Sequence, residues 1–211
     1  MCCESSFAIL LRILKMKINS KDGVAWLGTF VSLGGMLYLI QQLHYKHLPI
    51  VFVTWLLWVV IDALIVIVTY KVGYGKKDFK HPILMIMYTV TTFLILLLAI
   101  KNIVDGRSKL EWINLHTFIT IVVILALVVW RKLGDTGGLI ATVAAMVIAG
   151  IPTQVGAWTN PKDVDILFWS LSGTGCFLSY IAAPKTLFGR LMPGCGAVAN
   201  LVTVLFALTR A

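Results

Sequence analysis

The chain has 211 residues, 59% of them hydrophobic and 13% charged, with a mean hydropathy of +0.93. A soluble domain averages about 45–50% apolar and about 25% charged residues, so the composition excludes an ordinary soluble enzyme and leaves a polytopic membrane protein. The net charge of +9 sits in short clusters between apolar runs, which is the pattern of membrane orientation and not of a nucleic-acid-binding face.

The first fifteen residues, MCCESSFAILLRILK, hold an apolar core too short for a span and lack a small-residue cleavage site, so they do not read as a signal peptide. Met16, opening MKINSKDG, is a second candidate start. Beyond a cytosolic leader at 1–23, seven apolar runs follow at 24–43, 49–70, 82–100, 113–130, 136–158, 164–183 and 191–208. Each approaches the roughly 17–25 residues that one helical crossing needs. The loops between them leave no room for a separate soluble domain.

The second run carries Trp55, Trp58 and Asp62, spaced by three and four residues and therefore on one face of a helix. A carboxylate at mid-bilayer costs about 2.5–3.5 kcal/mol on insertion scales, so Asp62 should face a cavity or a partner, either as a proton- or solute-binding group or as a side chain capping polar groups between helices. Two indole rings beside it could stack on a flat or sugar-like ligand, and Trp55, near the outer boundary, also suits an interface anchor. The fifth run contains Pro152 and Gln154, a helix-breaking residue and an amide that needs a partner in hydrocarbon. The sixth carries Ser170, Ser172 and Thr174 around Gly173 and Gly175, small residues that let helices approach closely. His44, His47, His81 and His116 fall at or near span ends, where solvation is expected. Cys2, Cys3, Cys176 and Cys195 have neither redox nor zinc spacing, so no metal, disulfide or cofactor is expected, and Cys176 and Cys195 read as packing residues.

Charge sets the expected orientation. Arg12, Lys15, Lys17, Lys21, Lys71, Lys76, Lys77, Lys80, Arg131, Lys132, Lys185 and Arg190 lie on the N-terminal side. Only Lys46, Lys101, Arg107, Lys109, Lys162 and Arg210 lie on the other. The positive-inside bias predicts a cytosolic N-terminus and an external C-terminus, in a bacterial-type inner or plasma membrane.

Spans 1–3 can be laid on spans 5–7. Gln42 then falls on Gln154 and Pro49 on Pro161, both at an offset of 112 residues. After a two-residue difference in the loop Trp55 falls on Trp169 and Trp58 on Ser172, and Pro82 falls on Pro193. The fourth span is the odd helix that restores the starting side, so the two triplets run parallel.

This 3+1+3 layout, with a Pro/Gln element followed by a polar loop, resembles the PQ-loop families, which include the SWEET sugar transporters. IPTQVGAWTNPKDVDILFWSLSGTGCFLSYI is similar to one repeat, with Pro152-Thr153-Gln154 in place of an adjacent Pro-Gln pair. LYLIQQLHYKHLPIVFVTWLLWVVIDALIVI is similar to its partner, with Gln41-Gln42 and no preceding proline. The resemblance implies an all-α membrane protein of seven transmembrane helices: a bundle at 24–104, a linker helix within 105–135, and a bundle at 136–211. It also implies Asn200 as a solute contact on the third helix of the second bundle, with Thr89, beside Tyr88, as its counterpart. The W-x-x-W-x-x-x-D element resembles that of the nicotinamide riboside carriers, with Asp62 in place of asparagine. Many SWEET proteins place the N-terminus outside, so the cytosolic N-terminus expected here resembles those bacterial carriers, which share the fold.

Span 7 has no lysine for a retinal Schiff base, and Asp62 has no deep carboxylate partner for an aspartyl protease, so neither class is expected and the chain does not read as an enzyme. Two readings follow. One is a carrier of a small sugar-like or nucleoside-like solute, with Trp58, Asp62, Tyr88, Thr89, Ser172 and Asn200 lining the path, Gln42, Pro152 and Gln154 at the hinge, and protons as a candidate coupling ion. The other is a binding or sorting receptor on the same fold. A purely structural membrane protein is the third option.

Overall fold

A computed structural model of the chain describes residues 21–45, 52–72, 83–106 and 114–210. The leader with Cys2 and Cys3, and His47, Pro49, His81 and Pro82, lie outside the described residues. Every regular element described is helical: α1 (Lys21–Tyr45), α2 (Phe52–Val72), α3 (Ile83–Val104), α4 (Asn114–Thr159), a 3-10 turn (Pro161–Asp163), α5 (Ile166–Ala182) and α6 (Leu187–Arg210). The protein is therefore all-α, with an apolar character that suits a bilayer. Five of these helices are long and apolar enough to cross a membrane, and α5, at 17 residues, is shorter.

Local chemistry explains the boundaries. The run expected over 164–183 is trimmed to α5 because Asp165 caps its start, accepting from Phe168 N–H at 3.0 Å. At its other end Ala183 is extended, as the residue before Pro184 must tend to be. The last run starts at Leu187, earlier than its hydropathy indicates, because Thr186 Oγ1 accepts from Gly189 N–H at 3.1 Å and nucleates the turn. Pro193 then sits inside α6.

The runs expected at 113–130 and 136–158 are joined in α4, which has 46 residues. At 1.5 Å per residue a straight helix of that length reaches about 69 Å, more than twice the hydrocarbon core of about 30 Å. Gly134 resolves the mismatch: its φ of 72° and ψ of −169° break the helix in a region open essentially to glycine alone. Arg131, Lys132 and Leu133 are exposed at this corner, while Trp130 Nε1–H donates to Asp135 Oδ1 at 2.7 Å across it. Gly134→Ala should cost about 1–3 kcal/mol through backbone strain alone, because no atom stands within 4 Å of where its Cβ would be. Thermal unfolding in detergent measures this, and an unchanged or raised midpoint would contradict it.

Packing runs around a ring: α1 against α5 and α3, α2 against α3 and α4, and α6 against α5 and α4. The α1–α5 crossing is the most intimate. A Cβ on Gly28 would stand 2.7 Å from the Gly175 carbonyl, and one on Gly175 would strike Ser32 Oγ. In lipid, apolar surface gives helices no reason to choose one another, so close backbone approach through small residues does the selecting. The exterior is more apolar than that of a soluble protein, and polar side chains are scattered through a mostly apolar core. Thr29, Ser32, Asp62, Thr92, Ser172, Asn200 and Thr203 are buried, whereas Phe30, Leu37, Phe118, Leu125, Phe177, Val198 and Leu201 are exposed. That distribution fits a hydrocarbon solvent outside.

Candidate functional site

The ring encloses a cavity of about 1040 Å³, lined by all six helices. This is the upper end of the range for small-molecule sites. It reaches the surface beside the 3-10 turn, where exposed Lys162 forms part of its rim together with Asp165. Its walls are aromatic: Trp55 and Trp58 from α2, Phe168 and Trp169 from α5. The last two pack edge to face with ring centroids 4.9 Å apart.

The floor lies near mid-helix. Asp62, midway along α2, is 7% exposed and accepts through Oδ2 from Thr92 Oγ1 at 3.1 Å. Thr92 has a single hydroxyl proton and a nearer acceptor, the Tyr88 carbonyl at 2.8 Å one turn back. Asp62 therefore shares its one hydrogen-bond partner among the described residues with the α3 backbone. Beside it, the Tyr88 hydroxyl lies 2.7 Å from Ser172 Oγ, donates to Ser32 Oγ at 3.2 Å, and lies 3.5 Å from Cys176 Sγ, both of the last distances alternatives for one proton. One phenol thus ties α3 to α1 and α5 at the closed end. Asn200, 8% exposed, donates from Nδ2 to the Gly196 carbonyl at 2.6 Å. That bond fixes the amide orientation, and Asn200 Oδ1 is left buried with no partner among the described residues. Gln42 Oε1 is likewise buried and unpartnered.

The cavity brings together Trp58, Asp62, Tyr88, Ser172, Asn200, Gln42 and Gln154 of the expected set. Thr89 is not among the lining residues, and its hydroxyl bonds the Met85 carbonyl at 3.0 Å within its own helix. Pro152 is a helix residue of α4 whose neighbours Gly150, Thr153 and Gln154 line the cavity. His116 corrects the expectation of a solvated span end. It is 2% exposed and its Nε2 lies 3.0 Å from Thr54 Oγ1, because α4 begins at Asn114 and lays its first turn against α2. A double-mutant cycle of Thr54→Val with His116→Ala should yield a coupling of about 0.6 kcal/mol in unfolding measurements, the usual size of an interhelical bond in a membrane. Zero coupling would show that the pair is only adjacent.

Sequence reasoning missed Thr92, Thr203 and Ser32. A signal was present for the first two, since the register that lays Pro82 on Pro193 also lays Thr92 on Thr203. The same repeat pairs other lining residues: Gln42 with Gln154, Trp55 with Trp169, Trp58 with Ser172 and Asp62 with Cys176. Among the described residues, no group of three or more His, Cys, Asp or Glu is placed to hold a metal ion. Comparison with known proteins gave no matching family model, no matching curated protein and no matching solved structure.

Proposed function

We propose that the protein is a carrier for a small polar solute, working by alternating access between two three-helix units. The observation that carries this reading is the cavity itself: polar at mid-depth, aromatic along its walls, open beside Lys162 and closed beneath Tyr88. In this reading α4 supplies two crossings around Gly134, which makes seven in all. Helices α1–α3 form the first unit, the first part of α4 the linker, and the rest of α4 with α5 and α6 the second, as in the PQ-loop layout. Supporting it, α3 packs between α1 and α2 just as α6 packs between α5 and α4, and lining residues recur at the repeat register. With the N-terminus cytosolic, as the charge distribution favours, the cavity is open to the outside. Pro152 leaves the Ile148 carbonyl without its helical donor and gives α4 a proline that α1, its repeat counterpart, lacks.

A receptor that binds without transporting is favoured by one feature, the close backbone contact of α1 with α5, which joins the two units tightly at one side. Uptake of labelled sugars, nucleosides, amino acids and amines into proteoliposomes, with and without a proton gradient, separates the two. Uptake above protein-free vesicles supports the carrier. Binding without uptake by folded protein supports the receptor, and neither binding nor uptake removes both.

A further inference from the structure

We propose that the cavity recognises an organic cation at mid-depth, the ammonium group of an amine, with Asp62 as counter-ion and Asn200 Oδ1 as acceptor. This rests on the cavity being a ligand site, as proposed above, and names the chemistry of the ligand.

Three observations converge on it. The first is charge. Asp62 is buried at mid-depth, and the cationic side chain among the lining residues, Lys162, stands exposed at the rim. A carboxylate withdrawn from water needs an opposite charge or a proton, and one threonine hydroxyl shared with a carbonyl supplies no charge. The second is hydrogen-bond polarity. The floor hydroxyls are committed: Tyr88 and Ser172 to each other, Thr92 to the backbone of α3, and Thr203 Oγ1 to the Ala199 carbonyl at 3.0 Å. At that depth the buried lining atom that lacks a partner among the described residues is a carbonyl-type oxygen, Asn200 Oδ1; Gln42 Oε1, likewise unpartnered, lies nearer the mouth, close to the end of α1. An acceptor left unpaired in a buried site is stabilised only by a ligand that donates, and an ammonium has three N–H donors. The Asn200 amide cannot turn over to offer a donor without breaking its 2.6 Å bond to Gly196. The third is the wall. Trp55 and Trp58 stand on the same face of α2 as Asp62, and indole is the best aromatic partner for a cation. A neutral polyol would satisfy the acceptor and leave the carboxylate without a counter-charge.

The test titrates full-length protein in nanodiscs with 2-phenylethylamine and with 2-phenylethanol, near-isosteres that differ by ammonium against hydroxyl, and with glucose and uridine. Quenching of intrinsic tryptophan fluorescence and calorimetry report binding, and circular dichroism confirms the fold. The amine should bind at least about 30-fold tighter than the alcohol, a ratio in the range for losing one partner of a buried charge pair. Asp62→Asn, which keeps the shape, should collapse that ratio to within about threefold, and Asn200→Leu should weaken the amine by about tenfold. Equal or tighter binding of the alcohol, glucose or uridine overturns the proposal. So does a preference that survives Asp62→Asn, or a failure of all four probes to bind folded protein. Amine binding without uptake would uphold this inference and remove the carrier; uptake of a neutral solute with no amine preference would do the reverse.

Discussion

Asp62→Asn should lower gradient-driven accumulation of the best solute by about 100-fold in proteoliposomes, while thermal stability in detergent stays within about 1 kcal/mol of the parent or rises. The two parts of this result have one cause. Asp62 is buried at mid-depth with one shared hydroxyl as its hydrogen-bond partner among the described residues, so the folded protein bears much of the cost of withdrawing a carboxylate from water. Asparagine removes that cost and keeps the volume. Thr92 keeps its bond to the Tyr88 carbonyl, so no hydroxyl is orphaned by the change. A residue kept for packing would behave in the opposite way, with stability falling and transport following it. Exchange of solute across the same vesicles assigns the role: exchange retained points to a proton carrier, and exchange lost along with accumulation points to a ligand contact. Uptake within twofold of the parent, with unchanged stability, would remove Asp62 from the mechanism.

The largest loss of stability should come from Gly175→Val. A Cβ at Gly175 would stand 2.5 Å from the Gly28 carbonyl oxygen and 2.9 Å from Ser32 Cβ. The Gly28 carbonyl is helix backbone and cannot rotate away, so α1 and α5 must separate. Overpacking of a tight contact costs about 1–3 kcal/mol, and a branched side chain against backbone belongs at or above the top of that range. Ser32 would move with α1, pulling away from the Tyr88 hydroxyl and opening the cavity floor. Gly156→Ala is the opposite case in α4. No atom stands within 4 Å of its Cβ position, so the change should raise stability by about 0.4–1 kcal/mol through the helix preference of alanine. Unfolding midpoints for the pair measure both effects. Equal midpoints would mean that the α1–α5 crossing does not hold the bundle together.

These variants also mark where local information ends. Trp55, Trp58 and Asp62 share a face because helical periodicity puts them there, so their convergence was legible from spacing. Their partners were less so. Thr89 and Thr92 lie one turn apart in the same apolar run, and only the rotation of α3 against α1 and α2 sends Thr92 to Asp62 and leaves Thr89 bonded to Met85. His116 had the hydropathic position of a solvated end residue, and it is buried because α4 starts early enough to lay its first turn on Thr54.

What the sequence by itself determined is the solvent of the fold and the local elements. Long apolar runs demand helices whose backbone groups satisfy themselves, and Gly134, Asp165, Thr186 and Pro184 set corners and caps through interactions within a few residues. The tertiary structure alone decided which helices touch, and therefore which polar atoms are paired and which are left buried without a partner. Hydropathy cannot encode that choice, because a lipid tail and a neighbouring helix present the same apolar surface. It is made by close packing at Gly28, Ser32 and Gly175, and by bonds such as that of Tyr88 to Ser172, between residues far apart along the chain.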